Sequence, residues 1–127
     1  MDLALWIAAG FLSLAFAIGG AAKVVVPKEK ITALSFGRWA ENWSPSAIKT
    51  IGALEVLAAV GLVVPPLVGF GTVFVPLAAV GLALVMIGAI VVHARRREPV
   101  SIVGNAFYLA VSAFVAWGRF GPESFMG

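Results

Sequence analysis

Four long stretches that are almost free of charge constrain the fold of this chain more than any other feature. They cover about residues 3–22, 50–68, 72–92 and 101–118, and Glu55 is the charged residue within them. A helix rises about 1.5 Å per residue, so roughly 20 apolar residues cross the hydrocarbon core of a bilayer. The sequence therefore predicts an all-α integral membrane protein, in which residues 1–127 form one antiparallel four-helix bundle.

Composition supports this class. Hydrophobic residues make up 61% of the chain and charged residues 12%, whereas a soluble domain contains about a quarter charged residues. The net charge is +3, but the basic residues fall in two short loops and do not form one solvated face. We therefore expect membrane lipid as a partner and no nucleic acid.

The distribution of basic residues predicts how the bundle is oriented. Every Lys and Arg except Arg119 lies within or beside the loops at 23–49 and 93–100. By the positive-inside rule both loops face the cytoplasm and both termini lie outside, as expected for a multi-pass protein of a bacterial cell membrane. Residues 27–43 mix tryptophans with charges, which suits an interfacial helix, and a plain surface loop is the alternative.

Helix-ending signals define the second and third spans. Ser44 and Pro45 resemble an N-cap followed by proline at the first helical position. Pro65 and Pro66 are expected to end that helix, and the glycine-containing segment 69–71 supplies a turn. These two spans are therefore predicted to form a tight antiparallel hairpin.

Glu55 is the polar residue that most needs an explanation. It lies about 7 to 8 Å beyond Thr50 along the helix, inside the hydrocarbon region. A charged side chain at that depth is costly, so it faces the bundle interior, pairs with another group or becomes protonated. This marks a functional position, and a structural hydrogen bond to a neighbouring helix is the alternative.

Candidate partners of Glu55 follow from the alternating direction of the spans, which brings Lys23, His93 and Asn105 to a similar depth. Helical spacing then adds further residues on the same faces, and the fourth span carries a polar stripe that includes Tyr108. The predicted ligand-binding set is Glu55, Lys23, His93, Asn105, Met86, Tyr108 and Gly52.

Several of these residues also have an ordinary structural interpretation. Lys23 can extend to the interface, His93 can be an interfacial residue beside the arginines, and Met86 can serve in packing. The chain has no cysteine and one histidine, which excludes thiol chemistry and leaves no metal cluster built from protein ligands alone. With no phosphate loop or serine nucleophile motif, we assign no catalytic residue and do not expect a self-contained enzyme.

The order of several short motifs resembles the DoxX-like family over roughly residues 19–119. The motifs are Gly20-Ala21-Ala22-Lys23, Ile51-Gly52-Ala53-Leu54-Glu55, Met86-Ile87-Gly88-Ala89 and His93 with Arg95-Arg96. This resemblance implies a small four-helix membrane protein, similar to a small membrane subunit of a thiosulfate:quinone oxidoreductase. Other relatives are associated with oxidative-stress complexes or look like assembly chaperones, so the family does not fix a reaction.

Several functions stay open at this point. The leading hypothesis is an accessory or anchor protein that binds a quinone or lipid in the bundle, with Glu55 at its polar end, in a membrane redox complex. A proton-coupled transporter and a structural or chaperone-like partner of another membrane protein are alternatives, and acid–base catalysis ranks below them. Small residues along the spans favour close helix packing, within one chain, in a homo-oligomer or with a partner.

Overall fold

The computed structural model describes residues 1–125, apart from the side chains of residues 35 and 36. Residues 126 and 127, which the single-domain prediction includes, lie outside the described residues. The chain forms α1 (Asp2–Val25), α2 (Lys28–Ala33), a 3-10 helix (Ser35–Asn42), α3 (Pro45–Val68), α4 (Phe74–Arg95) and α5 (Pro99–Phe120). Helices α1, α3, α4 and α5 are each long and apolar enough to cross a membrane, which confirms the predicted fold class.

The start of α3 agrees with its sequence signal. The hydroxyl of Ser44 accepts a hydrogen bond of 3.1 Å from the backbone N–H of Ala47, and Pro45 opens the helix. This cap uses one of the backbone donors that have no partner inside the helix.

The end of α3 differs from expectation, because the helix continues through Pro65 and Pro66 to Val68. Each proline removes one backbone donor, so the carbonyls of Gly61 and Leu62 lose their partners inside the helix, and α3 continues at the cost of two hydrogen bonds. The helix ends at Gly69, whose φ of 70° is left-handed and available to glycine at little cost.

The four long helices form two tight pairs. Helix α1 packs most extensively against α3, and α4 against α5, whereas the α3–α4 and α1–α5 contacts are less extensive. The helices therefore follow the ring order α1, α3, α4, α5, with antiparallel neighbours. We call the end that carries residues 26–44 and 96–98 the basic end, and the opposite end the terminal end.

Two glycines bring α1 and α3 into close contact. A Cβ atom built on Gly20 would lie 2.6 Å from the carbonyl oxygen of Gly52, and one on Gly52 would lie 2.5 Å from that of Gly20. Ser13 adds a hydrogen bond of 2.8 Å from its hydroxyl to the carbonyl of Ala59. Small residues allow such backbone approach in lipid, where helix association depends on van der Waals contact.

The bundle is apolar both inside and outside. Its interior is filled by residues such as Leu12, Leu62 and Leu82, each no more than 1% exposed. Its exterior is also apolar, and Leu57 and Leu84 are 67% and 64% exposed. A surface of this kind is suited to lipid, because water would leave most of it unfavourably hydrated.

The terminal end is closed by Arg119, which the sequence marks only as the end of the fourth span. Its guanidinium Nη1 donates hydrogen bonds of 2.8 Å to the carboxylate of Asp2 and 2.8 Å to the carbonyl of Glu123, and the guanidinium carbon Cζ lies 3.8 Å from the Phe125 ring centroid. These contacts join the start of α1 to the end of α5, and the Asp2 carboxylate balances the charge of the Arg119 guanidinium.

The loop before α3 does not form one continuous interfacial helix. Leu34, with φ of −80° and ψ of 141°, separates α2 from the 3-10 helix. Gly37 then lies so close to Ile31 that a Cβ atom would be 1.9 Å from its carbonyl oxygen. The chain therefore folds back on itself here, which directs Trp39 and Trp43 toward the bundle.

Two lysines of the basic end stabilise backbone structure besides contributing charge. Lys28 Nζ donates hydrogen bonds to the carbonyls of Glu41, at 3.2 Å, and Trp43, at 2.6 Å. Lys49 Nζ donates a bond of 2.7 Å to Val24 in the last turn of α1, where carbonyls have no partner inside the helix. These bonds stabilise the folded loop, residues 26–44, and hold the start of α3 against the end of α1.

We predict that Gly52→Ala lowers the free energy of unfolding by about 1–3 kcal/mol, because the new methyl group meets backbone and forces α1 and α3 apart. Gly81→Ala is the matched control, since a Cβ atom there meets nothing within 4 Å. Denaturation in detergent micelles measures both. Equal stability of the two variants would contradict the proposed role of the glycine contact.

Candidate functional site: a cavity at the basic end

A cavity of about 560 Å³ lies between the α1–α3 pair and the α4–α5 pair, toward the basic end. Apolar side chains such as Phe16, Val85 and Met86 form much of its wall. Trp39 and Trp43 contribute from the folded loop, so all four long helices and the loop line this one space. Polar groups are concentrated in four places described below.

The first polar group is an ion pair between Lys23 of α1 and Glu55 of α3. The Glu55 side chain is 2% exposed and the Lys23 side chain 24% exposed, so the carboxylate is the deeper partner. Lys23 Nζ also lies 5.7 Å from the centroid of the Trp39 ring, within cation–π range. The pair is electrically neutral as a unit, which makes charge at this depth tolerable.

The second polar group links the cavity to the loop between α4 and α5. Nδ1 of His93 lies 2.8 Å from Oε1 of Glu98, and the two side chains are 10% and 24% exposed. The hydrogen bond from His93 and the nearby charge of Arg96, whose Nε is 3.3 Å away, hold the pKa of Glu98 below its usual value. Glu98 is therefore ionised at neutral pH and accepts the His93 hydrogen bond.

This link continues to the folded loop. Arg96 places a guanidinium nitrogen 3.5 Å from the carboxylate of Glu41, in the 3-10 helix. A chain of hydrogen bonds and ion pairs therefore runs from His93 through Glu98 and Arg96 to Glu41. It holds the folded loop beside the α4–α5 turn, although its outer members are exposed and individually weak.

The third and fourth polar groups come from α5 and have no hydrogen-bond partner in the described part of the chain. They are the amide of Asn105 and the hydroxyl of Tyr108, both on the cavity wall. The Tyr108 ring packs edge-on against the Phe16 ring, with the two ring centroids 5.2 Å apart. Deeper along the same stripe, the hydroxyl of Ser112 is buried and has no partner among the described residues.

Unpaired groups of this kind favour a ligand with polar atoms. An amide or hydroxyl that faces an apolar cavity without a hydrogen bond costs free energy, and a bound oxygen atom removes that cost. The Asn105 and Tyr108 side chains can both donate, and the Lys23 ammonium retains donors beyond the one used by Glu55.

Glycines supply much of the empty volume. A Cβ atom built on Gly19, Gly88 or Gly104 would meet nothing within 4 Å, although all three residues line the cavity. The space is therefore bounded by helix backbone at three points. A methyl group added at any of the three positions would enter open space without displacing a neighbouring helix.

The structure brings most of the predicted site residues together. Six of them line the cavity, namely Glu55, Lys23, His93, Asn105, Met86 and Tyr108. Gly52 does not line it and instead forms the α1–α3 contact with Gly20. Whether these residues bind a ligand stays a prediction.

Sequence reasoning missed Trp39, Trp43 and Glu98. The sequence predicts headgroup-level positions for both tryptophans, because the break that turns them inward depends on contacts within the loop. Glu98 follows the arginine run by one position, so its pairing with His93 across five residues had no helical periodicity to indicate it. Among residues 1–125, no group of three His, Asp or Glu side chains is placed to hold a metal ion.

We predict that Lys23→Met lowers the free energy of unfolding by about 3 kcal/mol, because it leaves the Glu55 carboxyl without its buried partner. The double variant Lys23→Met/Glu55→Met should recover most of this loss, since an apolar pair often replaces a buried ion pair at little cost. Denaturation in micelles is the measurement, with the exposed Lys30→Met as control. A double variant no more stable than Lys23→Met would contradict this account of the pair.

Comparison with known proteins places this architecture in a family. No curated protein and no solved structure gives a match. The sequence model of the DoxX-like family matches residues 7–115, which include most of each long helix and every residue of the cavity. This match and the four membrane-spanning helices show that the chain is a multi-pass membrane protein that belongs to the DoxX-like family.

Proposed function

We propose that this DoxX-like protein is a small accessory or anchor protein that binds a quinone or a lipid in the cavity at the basic end. The observation that carries the proposal is a mostly apolar cavity with several polar groups converging on it, two of which have no hydrogen-bond partner among the described residues. Sites for small molecules commonly have this form.

The size and lining of the cavity support an aromatic or isoprenoid occupant. A volume of about 560 Å³ lies within the range of roughly 300–1,000 Å³ found for small-molecule sites. Phe16, Tyr108 and Trp39 provide ring faces and edges against which a flat group can pack. An apolar tail would extend along the glycine-lined walls at Gly19 and Gly104.

The charge balance favours a neutral carbonyl head over an anionic phosphate. Lys23 is already neutralised by Glu55, so the cavity offers no free positive charge for an anion. What remains are donors from Asn105, Tyr108 and Lys23, which match carbonyl oxygens. A quinone carries two such oxygens on a flat ring, and we therefore favour a quinone over a phospholipid.

The same proposal sets the orientation and the partners. With the basic loops in the cytoplasm, the ligand head lies toward the cytoplasmic leaflet of a bacterial membrane. Electrons for a bound quinone would come from a partner protein in a membrane redox complex. This last role is supported by the family resemblance and not by a contact in the bundle.

The direct test is to purify the protein in mild detergent and to identify co-purifying quinones and lipids by mass spectrometry. A short-chain quinone then serves as a binding probe, because quinones quench tryptophan fluorescence. Replacing Trp6 and Trp117 by Phe restricts the signal to Trp39 and Trp43, which line the cavity. If no quinone or lipid co-purifies and the short-chain quinone quenches no fluorescence, the proposal is wrong. Proton flux into proteoliposomes would favour a transporter.

We predict that Gly104→Leu weakens binding of the short-chain quinone at least about tenfold, because the side chain occupies the cavity. Gly81→Leu is a matched control, since it too has open space around its Cβ position but lies on the exposed face of α4, outside the cavity. Both variants should fold, as neither Cβ meets a neighbour within 4 Å. Equal affinities of the two variants would place the ligand elsewhere.

A further inference from the structure

We propose that the cavity ligand exchanges protons with the aqueous phase at the basic end through His93 and Glu98. The inference rests on the proposed quinone site and deepens it, because it makes the ligand a quinone–quinol couple whose oxygen atoms take up and release protons. A lipid headgroup that does not titrate would exchange no protons along this path.

The geometry of His93 is suited to this role. It is the single histidine of the chain, it is 8% exposed, and it lines the cavity. Its Nδ1 is hydrogen-bonded to Glu98, while Nε2 has no hydrogen-bond partner among the described residues. Because Glu98 is ionised, Nδ1 carries the proton and Nε2 is the acceptor in the neutral ring.

Glu98 provides the contact with water. Its side chain is 24% exposed, and it lies in the turn between α4 and α5, beyond the end of the long helices. A proton received from Nδ1 can therefore leave to solution. Glu98 does not line the cavity, so its role is to accept a proton from His93 and not to hold the ligand.

The other charged groups around the site do not offer an equivalent path. Glu55 is 1% exposed and paired with Lys23, so it lies too deep to exchange protons with water directly. Arg96 lies between the carboxylates of Glu98 and Glu41, the latter in the 3-10 helix. Its contacts with both carboxylates hold Glu98 in position. From α5, Tyr108 lines the cavity and does not lie between it and the aqueous phase at Glu98.

The proton balance is explicit. Oxidation of a quinol to a quinone breaks two O–H bonds and releases two electrons and two protons, and the electrons pass to an oxidised redox centre of a partner protein. The first proton moves from the ligand oxygen to Nε2 of His93, while the Nδ1 proton passes to the Glu98 carboxylate and then to water. The ring then carries its proton on Nε2, and a ring flip or tautomer exchange restores the Nδ1–H form before the second proton follows the same route. Reduction of the quinone runs the same steps in reverse.

The test uses the full chain with a bound short-chain quinol and ferricyanide as a water-soluble electron acceptor. Glu98→Gln keeps a side-chain oxygen that accepts the His93 hydrogen bond but cannot take a proton. We expect it to slow oxidation of the bound quinol about tenfold or more, with a reduced solvent deuterium isotope effect. Glu98→Asp should restore part of the rate, and the exposed carboxylate variant Glu29→Gln should leave the rate unchanged.

The outcomes separate the two proposals. An unchanged oxidation rate in Glu98→Gln, with quinol still bound, overturns the proton path and leaves the quinone site standing. A slower rate that returns to the parent value at saturating quinol reflects weaker binding alone and also overturns it. Failure of the parent protein to bind quinol removes the quinone site itself.

Discussion

The ion pair between Lys23 and Glu55 is the interaction on which the inner half of this bundle depends. A carboxylate that is 1% exposed in a membrane-spanning helix needs a partner, and the partner must come from another helix at the same depth. The Gly20–Gly52 contact supplies the close approach that allows this, within one turn of both charged residues. The α1–α3 pair is thus held by backbone contact and charge together, whereas its contacts with the α4–α5 pair are looser.

The two ends of the bundle use arginine in different ways. At the terminal end, Arg119 is buried, and its bonds to Asp2 and Glu123 close the space between α1 and α5. At the basic end, Arg96 is partly exposed and bridges Glu98 and Glu41 along the rim of the cavity. The cavity therefore lies beside the charged groups of the basic end, and Arg119 is not among the residues that line it.

Much of this arrangement could be predicted, because the position of a residue along a membrane-spanning helix fixes its depth in the bilayer. Once four spans alternate in direction, residues such as Lys23, Glu55 and Asn105 fall at one level, and helical periodicity fixes their faces. What escaped prediction depends on local breaks and tertiary contacts. Trp39 reaches the cavity because the chain breaks at Leu34. Helix α3 continues through Pro66 to Val68, and neither fact has a periodic signal in the sequence.

The cavity itself needs a physical reason, because a bundle in lipid gains nothing from an unfilled space. Helices associate there through van der Waals contact, and each gap forfeits that contact. Glycine at 19, 88 and 104 nevertheless leaves the space open, although the Cβ atom of an alanine would meet no neighbour within 4 Å. The unpaired amide of Asn105 adds a second cost at the same place. Two independent costs at one site are offset together when a molecule with an apolar body and a polar oxygen fills it, and a purely structural bundle would require neither.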